Sequence, residues 1–321
     1  MSDAARVLIF YDRPEEFLAQ LRARFPSVKF SVCRSYAGVA GSLAEVRPQI
    51  ILAYKFEPGT FPRGEILAAQ GLQWLSSTSA GIDHVAPWDD SKLIVTCGAA
   101  VAATQMAHYA LAAILGMFHG FPQAFAGQVA RRWNYRVNRS TRNAVVGLVG
   151  LGRSGRQIAR LARAVGLKVV ACRVRSDPCE DVDAIYPAGE LHRMLGAVDA
   201  TVVCAALTPS TKDLFGPAAF AAMKPGSYFI NIARGTIVQE EALIDALARG
   251  HLAAAVIDVA RTEPLPPSSP LWSAPNLLIT PHSSGDYDGW ARDEALMFAD
   301  NLERWLANAP LQNRVRSDRG Y

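Results

Sequence analysis

Short apolar runs rich in β-branched residues alternate along the chain with longer stretches of helical periodicity. Two runs, VVGLVG from Val145 and TVVCAAL from Thr201, are apolar at nearly every position, which is typical of strands covered on both faces of a parallel sheet. The pattern predicts strands at Arg6–Tyr11, Val28–Cys33, Gln49–Ala53, Gln73–Ser77, Ala144–Val149, Lys168–Cys172, Ala200–Cys204, Tyr228–Ile232, Ala254–Asp258 and Leu277–Thr280. It predicts helices between them at Glu15–Arg24, Arg153–Val165, Glu240–Ala248 and Asp286–Ala307. This strand–helix–strand order predicts an α/β, doubly wound architecture.

The predicted elements fall into two sets, and 321 residues are enough for two domains with separate cores. The first set ends near residue 98, and the second follows a long apolar segment. The last helix comes after the final strand of the second set and can pack back onto the first. We therefore predict one domain of residues 1–98 with 285–321, and a larger one of residues 99–284.

The segment Val101–Phe121 carries no Asp, Glu, Lys or Arg and is long enough to span a bilayer. Its polar residues, Gln105, His108, Tyr109 and His119, are a poor match to lipid, and no second segment of this kind occurs. We therefore predict a helix buried between domains or subunits, and no membrane partner.

Composition narrows the function classes. Half of the residues are hydrophobic and 19% are charged, the balance of a globular protein. The formal net charge of +4 is small, and the basic residues form no long continuous run. This argues against a nucleic acid partner but suits an anionic small molecule in a basic pocket.

The five cysteines, at positions 33, 97, 172, 179 and 204, are scattered and include no C-x-x-C pair. This pattern indicates reduced thiols and a cytoplasmic location, with neither a disulfide framework nor a metal site. The N-terminal apolar run is too short for a signal peptide.

A glycine motif follows the strand predicted at Ala144–Val149. Gly150, Gly152 and Gly155 form G-x-G-x-x-G and open the next predicted helix. The first glycine permits a tight turn, the second lets the backbone approach a pyrophosphate, and the third lets helix and strand pack closely. Because strand and helix both lie where the motif requires them, we predict dinucleotide binding.

The end of the following strand indicates which dinucleotide binds. An acidic residue normally stands there to bind the ribose 2′-hydroxyl of NAD, but this chain has Arg173, Val174, Arg175 and Ser176, with no acid before Asp177. Guanidinium groups and a hydroxyl would hold a 2′-phosphate. The arginines could also be ordinary surface residues after a strand. We predict NADP(H) as the favoured cofactor, with NAD(H) possible.

Three fragments further along carry candidate catalytic residues: NIARGTIV with Arg234, IDVARTEPLP with Glu263, and ITPHSSG with His282. Each residue lies shortly after a predicted strand, and the carboxyl ends of strands line the ligand crevice of a doubly wound sheet. Singly, each residue could be structural or solvated. Together they supply the acid–base pair and the anion-binding group that reduction of a keto acid needs.

In these motifs the chain resembles the D-isomer-specific 2-hydroxyacid dehydrogenase family, in particular its glyoxylate/hydroxypyruvate reductase branch. The resemblance runs essentially end to end and includes STSAGIDHV from Ser77, Trp133, GLGRSG, ALTPST from Ala206, N-x-x-R-G, D-V…E-P and T-P-H-S-S-G. It implies that residues 99–284 form a Rossmann NAD(P)-binding domain and the remainder a smaller flavodoxin-like substrate domain.

The resemblance also implies residue roles in a reduction of a small 2-keto acid to the D-2-hydroxy acid by hydride transfer from NAD(P)H. His282 would be the general acid, Glu263 would hydrogen-bond it and favour its protonated form, and Arg234 would bind the substrate carboxylate. With Arg234 and His282, the substrate-binding residues would be Ala80 and Gly81. The cofactor contacts would be Gly150, Gly152, Arg153, Ser154, Gly155, Arg173, Arg175, Ser176, Leu207, Thr208, Ala233 and Asp258.

The chain departs from the family pattern at a few positions. Many relatives carry A-E-Y or A-E-H where this chain has Ala107, His108 and Tyr109, and Ser154 replaces a common aliphatic residue. We expect none of these residues to touch the proton-transfer trio. His108 could alter substrate preference or interdomain packing.

Two alternative functions remain open. A non-catalytic dinucleotide sensor resembling corepressors would share the fold but would not need Arg234, Glu263 and His282. A dehydrogenase for another acid, such as phosphite or phosphoglycerate, would keep all three, although no regulatory domain of the phosphoglycerate type is expected beyond Ala307. Residues 101–121 and Gln128–Arg142 resemble the segment through which relatives dimerise, so a homodimer is also expected.

Overall fold

The computed structural model of the protein describes residues 4–56, 60–99, 101–174 and 177–317. The chain divides into two compact units. Unit 1 comprises Met1–Ala102 and Tyr287–Tyr321, and unit 2 comprises Ala103–Asp286. Two predicted cofactor contacts, Arg175 and Ser176, lie outside the described residues.

The helices and strands follow the chain in this order. Unit 1 begins with β1 Arg6–Phe10, α1 Leu18–Arg24, β2 Lys29–Cys33, α2 Val39–Val46, β3 Ile50–Ala53, α3 Arg63–Leu67, β4 Trp74–Ser77 and β5 Ile94–Cys97. Unit 2 contains α4 Ala103–Phe118, α5 Phe121–Val129, β6 Val145–Val149, α6 Arg153–Ala164, β7 Lys168–Arg173, β8 Ala184–Pro187, α7 Leu191–Leu195, β9 Ala200–Val203, α8 Pro217–Ala222, β10 Ser227–Asn231, α9 Glu240–Ala248, β11 Leu252–Ile257 and β12 Leu277–Ile279. The chain then returns to unit 1 with α10 Trp290–Leu306 and β13 Arg314–Val315.

The sheet of unit 1 has the strand order β13-β5-β4-β3-β1-β2. All neighbouring strands are parallel except β13, which runs antiparallel to β5. Without β13 the order is that of the flavodoxin-like doubly wound sheet. Its two faces are covered by different helices: Phe298 and Leu302 of α10 pack on one, and Val39 of α2 packs on the other.

The sheet of unit 2 is parallel throughout, with the order β12-β11-β10-β9-β6-β7-β8. The strand order reverses at β6, whose neighbours are β7 and β9. This is the Rossmann arrangement, in which ligands bind outside the carboxyl ends of the strands at the point of reversal. The predicted α/β fold class is therefore confirmed, with a Rossmann unit and a second doubly wound unit.

Alternating strand residues of unit 2 enter two separate cores. Leu148 of β6 and Val202 of β9 pack with α4 and α6, whereas Val149 and Val203 pack with α7, α8 and α9. Burial on both faces explains why these strands are apolar at nearly every position. Each large aliphatic side chain buried in this way contributes about 1.5–3 kcal/mol.

The apolar segment Val101–Phe121 forms one helix, α4, and its last residue begins the next helix, α5. Helix α4 ends at Phe118, Gly120 adopts a positive φ of 65°, and α5 continues at an angle of 69° to α4. Among the described residues, no single helix is long and apolar enough to cross a membrane, and only the bent α4–α5 pair passes on length and composition. The buried face of α4, which includes Ile114 and Phe118, packs within unit 2.

Candidate active site

The glycine turn after β6 is shaped by close packing. Gly150 has a φ of +101°, a conformation that favours glycine, and a Cβ there would stand 2.8 Å from the Cα of Ala205. A Cβ on Gly155 would stand 2.6 Å from the carbonyl oxygen of Gly150. The first and third glycines of the motif are thus required by the contacts of the turn with α6 and with the residues after β9.

The second glycine leaves room for a ligand. Gly152 precedes α6 in an extended conformation and supplies no capping side chain. A Cβ on Gly152 would meet no atom within 4 Å, so the space before the helix is open. The positive end of a helix dipole attracts a pyrophosphate. The turn, with Arg153 and Ser154 in the first turn of α6, therefore fits the phosphates of a dinucleotide.

Arg173 is the last residue of β7 and lies next to this turn. The N–H of Gly150 donates to the carbonyl of Cys172 at 3.0 Å, which ties the end of β7 to the turn. One terminal nitrogen of Arg173 donates to the carbonyl of Asp177. Its buried Nε has no partner among the described residues. The structure therefore places a cation beside the turn, at the position where NAD-binding proteins carry an acid.

His282 and Glu263 form a hydrogen-bonded pair. His282 Nδ1 lies 2.7 Å from Glu263 Oε2, and Glu263 Oε1 accepts the N–H of Ala260 at 3.0 Å. An ionised carboxylate can only accept, so Nδ1 carries the proton in this pair. The other ring nitrogen, Nε2, is therefore the one that can gain or release a proton.

The environment of Glu263 favours the ionised form. Burial alone would raise its pKa, but the hydrogen bonds from His282 and Ala260, together with the charge of Arg234, hold the pKa of Glu263 below its usual value. The carboxylate consequently stays charged through the neutral range and stabilises a positive charge on His282.

Arg234 belongs to the same cluster because two loops of unit 2 pack tightly. It follows β10, where the side chain of Asn231 accepts the N–H of Ala233 and donates to the carbonyl of Arg234. A Cβ on Gly235 would collide with the backbone of Ala260, so only glycine lets the Arg234 loop lie against the loop of Glu263. Asn231 and Gly235 were not singled out from the sequence, although both stand in the N-x-x-R-G fragment.

Asp258 contacts the loop that carries His282. Its buried carboxylate accepts hydrogen bonds from the Thr280 hydroxyl at 2.6 Å and from the N–H groups of Ser283 and Ser284 at 2.9 Å each. It therefore holds the loop that carries His282. Contact of Asp258 with a nicotinamide stays a prediction.

The remaining predicted contacts lie in three loops. Leu207 and Thr208 follow β9 in a turn closed by Thr211, whose hydroxyl accepts the Thr208 N–H at 2.8 Å. Ala233 is buried beside Arg234. Ala80 and Gly81 follow β4 in unit 1. The ligand contacts of these five residues stay predictions.

The chain was compared with known families and proteins. The sequence profile described as "D-isomer specific 2-hydroxyacid dehydrogenase, NAD binding domain" matches residues 111–284. This range covers the glycine turn, the end of β7 and all three residues of the His282 cluster.

Two relatives are reductases of small keto acids. The "Glyoxylate reductase/hydroxypyruvate reductase" of Mus musculus is 32% identical over 78% of each chain. The "Glyoxylate/hydroxypyruvate reductase A" of Serratia proteamaculans (strain 568) is 33% identical over 56% of this chain and 58% of its own.

A solved structure with a similar fold is that of a D-isomer-specific 2-hydroxyacid dehydrogenase from Xanthobacter autotrophicus Py2 in complex with NADPH and MES. It is 30% identical, covers 99% of this chain and 100% of its own, and superposes with a TM-score of 0.85. Together with the profile match and the geometry of the two loops, these similarities identify the chain. It belongs to the D-isomer-specific 2-hydroxyacid dehydrogenase family and is an NAD(P)-dependent oxidoreductase.

Proposed function

We propose that the protein reduces a small 2-keto acid, of the glyoxylate or hydroxypyruvate type, to the D-2-hydroxy acid with NADPH. The observation that carries this proposal is the His282–Glu263 pair, 2.7 Å apart, with the charge of Arg234 beside it. The Mus musculus and Serratia proteins named above support the substrate class. The NADPH bound in the Xanthobacter structure supports the cofactor.

When bound, the cofactor would supply a hydride to the keto carbon. The residues of the chain stabilise the negative charge that develops on the keto oxygen. His282 donates the proton on Nε2 to this oxygen, and Glu263 stabilises the imidazolium until that transfer. Arg234 binds the substrate carboxylate, for which its planar array of donors is suited. A positioned proton donor of this kind contributes roughly two to four orders of magnitude in rate.

The cofactor would be held by two parts of unit 2. The glycine turn and the first turn of α6 would bind the pyrophosphate, and the open space at Gly152 supports this role. Arg173 supports a choice of NADPH over NADH, because a guanidinium attracts a 2′-phosphate and a carboxylate would repel it.

We further propose that two copies of the chain associate through an exposed apolar surface of unit 2. This surface consists of Phe121, Phe125, Val129, Trp133, Tyr135 and Val137, whose exposed fractions range from 64% to 98%. Exposed large apolar side chains concentrated in one segment of a chain are typical of protein interaction sites. Its position in the segment that resembles the dimerisation region of relatives makes a second copy the expected occupant.

The segment that carries this surface is anchored to the core of unit 2. Arg139 donates to Asp199 at 2.5 Å and to the carbonyl of Gly226 at 2.9 Å, and its guanidinium lies over the rings of Phe118 and Tyr228. Because a fixed surface loses little conformational entropy on association, this anchor favours binding of a partner.

A cytoplasmic location is part of the same proposal. All five cysteines are free thiols. Free thiols are typical of proteins in reducing compartments.

The experiment that tests the proposed function is the rate of NADPH and NADH oxidation with a panel of 2-keto acids, together with the chirality of the product. Faster oxidation of NADPH with glyoxylate or hydroxypyruvate, and a D-configured product from hydroxypyruvate, would support it. Measurable cofactor binding without turnover of any 2-keto acid would contradict it. Oxidation of phosphite or 3-phosphoglycerate instead would indicate the alternative substrate class.

A further inference from the structure

A chain of hydrogen bonds connects helix α4 to the loop that carries His282. The hydroxyl of Tyr109 lies 2.6 Å from Thr280 Oγ1, and Thr280 Oγ1 lies 2.6 Å from Asp258 Oδ1. The Asp258 carboxylate also accepts the N–H groups of Ser283 and Ser284. Thr280 precedes His282 by two residues and the serines follow it, so the chain of bonds holds the loop on both sides of the histidine.

The direction of these bonds follows from the chemistry of the groups. The Asp258 carboxylate accepts, so the single proton of the Thr280 hydroxyl is donated to it. Thr280 can then only accept from Tyr109, which must be the donor. Burial and the nearby charge of Asp258 raise the pKa of Tyr109 above its usual value, so the phenol keeps the proton that this arrangement needs.

The backbone at His282 needs such support. His282 has a φ of +54°, and a non-glycine residue in the left-handed region costs on the order of 1–2 kcal/mol. Strained residues persist only where the surrounding contacts fix them. The residues on either side of His282 bond to the Asp258 carboxylate. The N–H of His282 itself donates to the Asp258 carbonyl at 2.7 Å. Asp258 is therefore the central acceptor of the loop, and Tyr109 and Thr280 fix the orientation of its carboxylate.

We propose that Tyr109 is a positioning residue for His282 that acts through Thr280 and Asp258. This inference rests on the proposed role of His282 as proton donor. The hydroxyl of Tyr109 bonds to Thr280 in the loop of His282 rather than to His282 itself.

The test compares Tyr109→Phe, Thr280→Val and the double variant with the wild-type enzyme. Each single variant should lower kcat roughly tenfold with KM changed less than about twofold, because it breaks the chain of hydrogen bonds that orients the acid rather than a bond that binds substrate. Tyr109→Phe removes one bond of this chain, and Thr280→Val removes two. The double variant should be no slower than the slower single variant, since both remove the same chain of bonds. Thr280→Ser keeps the hydroxyl and should restore most of the rate.

A matched control separates positioning from simple packing. Tyr228 is a buried tyrosine of the same unit, and its ring lies 5.0 Å from that of Phe118 at the end of α4. Tyr228→Phe should leave kcat unchanged. The solvent deuterium isotope effect on kcat should rise in Tyr109→Phe and not in Tyr228→Phe, since a misplaced acid slows proton transfer specifically. Equal kcat and isotope effects in Tyr109→Phe and wild type would overturn the proposal.

A second measurement does not depend on turnover. Hydrogen exchange of the peptide that contains Ser283 and Ser284 should become faster in Tyr109→Phe and stay unchanged in Tyr228→Phe. If the wild-type enzyme reduces no keto acid, the proposed function fails, whereas faster exchange would still show that Tyr109 holds the loop. Unchanged exchange in Tyr109→Phe would overturn the positioning role whatever the activity.

Discussion

At the scale of single residues, the central contact is the one between Glu263 and His282. The carboxylate can act only while it is ionised, and the direction of its pKa shift extends that range toward lower pH. A substitution that removes this charge should therefore change the pH dependence of kcat.

Glu263→Gln should move the high-pH decline of keto acid reduction to lower pH and lower the maximal kcat by roughly tenfold. The amide oxygen can accept the hydrogen bond from Nδ1–H but carries no negative charge, so the imidazolium form of His282 is less stabilised in the variant. The pH profile of kcat for wild type and variant checks this. A profile that keeps its high-pH limb in place would show that Glu263 does not govern the protonation of His282.

Arg173→Asp should weaken binding of NADPH roughly 10- to 100-fold and leave binding of NADH within about threefold. The substitution replaces a group that attracts a 2′-phosphate by one that repels it. Cofactor fluorescence titration measures both affinities. Arg249→Asp, which makes the same change of charge after α9, serves as the control. Equal losses for both cofactors would mean that Arg173 does not contact the 2′-phosphate.

Glu294 of α10 is a third residue with a measurable effect. Its side chain is buried in unit 1, neither carboxyl oxygen has a hydrogen-bond partner among the described residues, and burial followed by the charge of Asp293 raises its pKa well above the usual value. A raised carboxyl pKa means that the folded protein holds a proton that the unfolded chain releases. This residue therefore makes stability fall as pH rises above the unfolded value.

Glu294→Gln should accordingly raise Tm, and the gain should grow from pH 5 to pH 8. Thermal unfolding at a series of pH values measures it. A gain that is the same at all pH values would mean that Glu294 is not protonated in the folded protein.

At the scale of elements, the strands of both sheets could be predicted where burial leaves a continuous apolar run. The predicted helix Glu240–Ala248 matches α9. Three strands were missed: β5, β8 and the short edge strand β13. Two of them have only a weak strand pattern in the sequence. Strand β8 is only partly buried and ends in Pro187, and β13 has two residues.

Element ends were harder to predict because they depend on local backbone geometry. Helix α10 begins at Trp290 rather than Asp286, since Gly289 before it has a φ of +91°. The predicted helix Glu15–Arg24 is interrupted at Phe17, where a single 3-10 turn ends and α1 begins. In the candidate site, the sequence motifs point to Arg234, Glu263 and His282, which the structure brings together, whereas no motif indicates the contacts of Tyr109 and Gly235. Their roles depend on contacts between elements far apart in the chain.

The packing of the Arg234 loop against the Glu263 loop can be tested through Gly235. Gly235→Ala places a Cβ against the backbone of Ala260 and should lower kcat at least tenfold, because the two loops must separate and displace Arg234 from Glu263. Gly189→Ala, at a site with no neighbouring atom within 4 Å, is the matched control and should have no effect. Full activity of Gly235→Ala would mean that this close approach is not needed for catalysis.

At the scale of the whole molecule, the exposed apolar surface of unit 2 predicts the oligomeric state. The wild-type protein should have a mass of twice 34.7 kDa in solution. The double variant Phe125→Asp/Trp133→Asp should be monomeric, because two carboxylates would lose their hydration in the interface. Light scattering coupled to size-exclusion chromatography measures both masses.

Trp272→Asp provides the control for this experiment, since Trp272 is another exposed tryptophan of unit 2 outside the proposed interface. It should leave the mass unchanged. A monomeric wild-type protein, or a double variant that stays dimeric, would contradict the assignment of this surface.

The most direct test of the account compares wild type and His282→Ala in the reduction of hydroxypyruvate by NADPH, with the Kd for NADPH measured alongside. We expect a loss of roughly two to four orders of magnitude in kcat with an unchanged Kd, because only the proton donor is removed. A variant that turns over at the wild-type rate would show that His282 is not the acid, and the proposed mechanism would then be wrong.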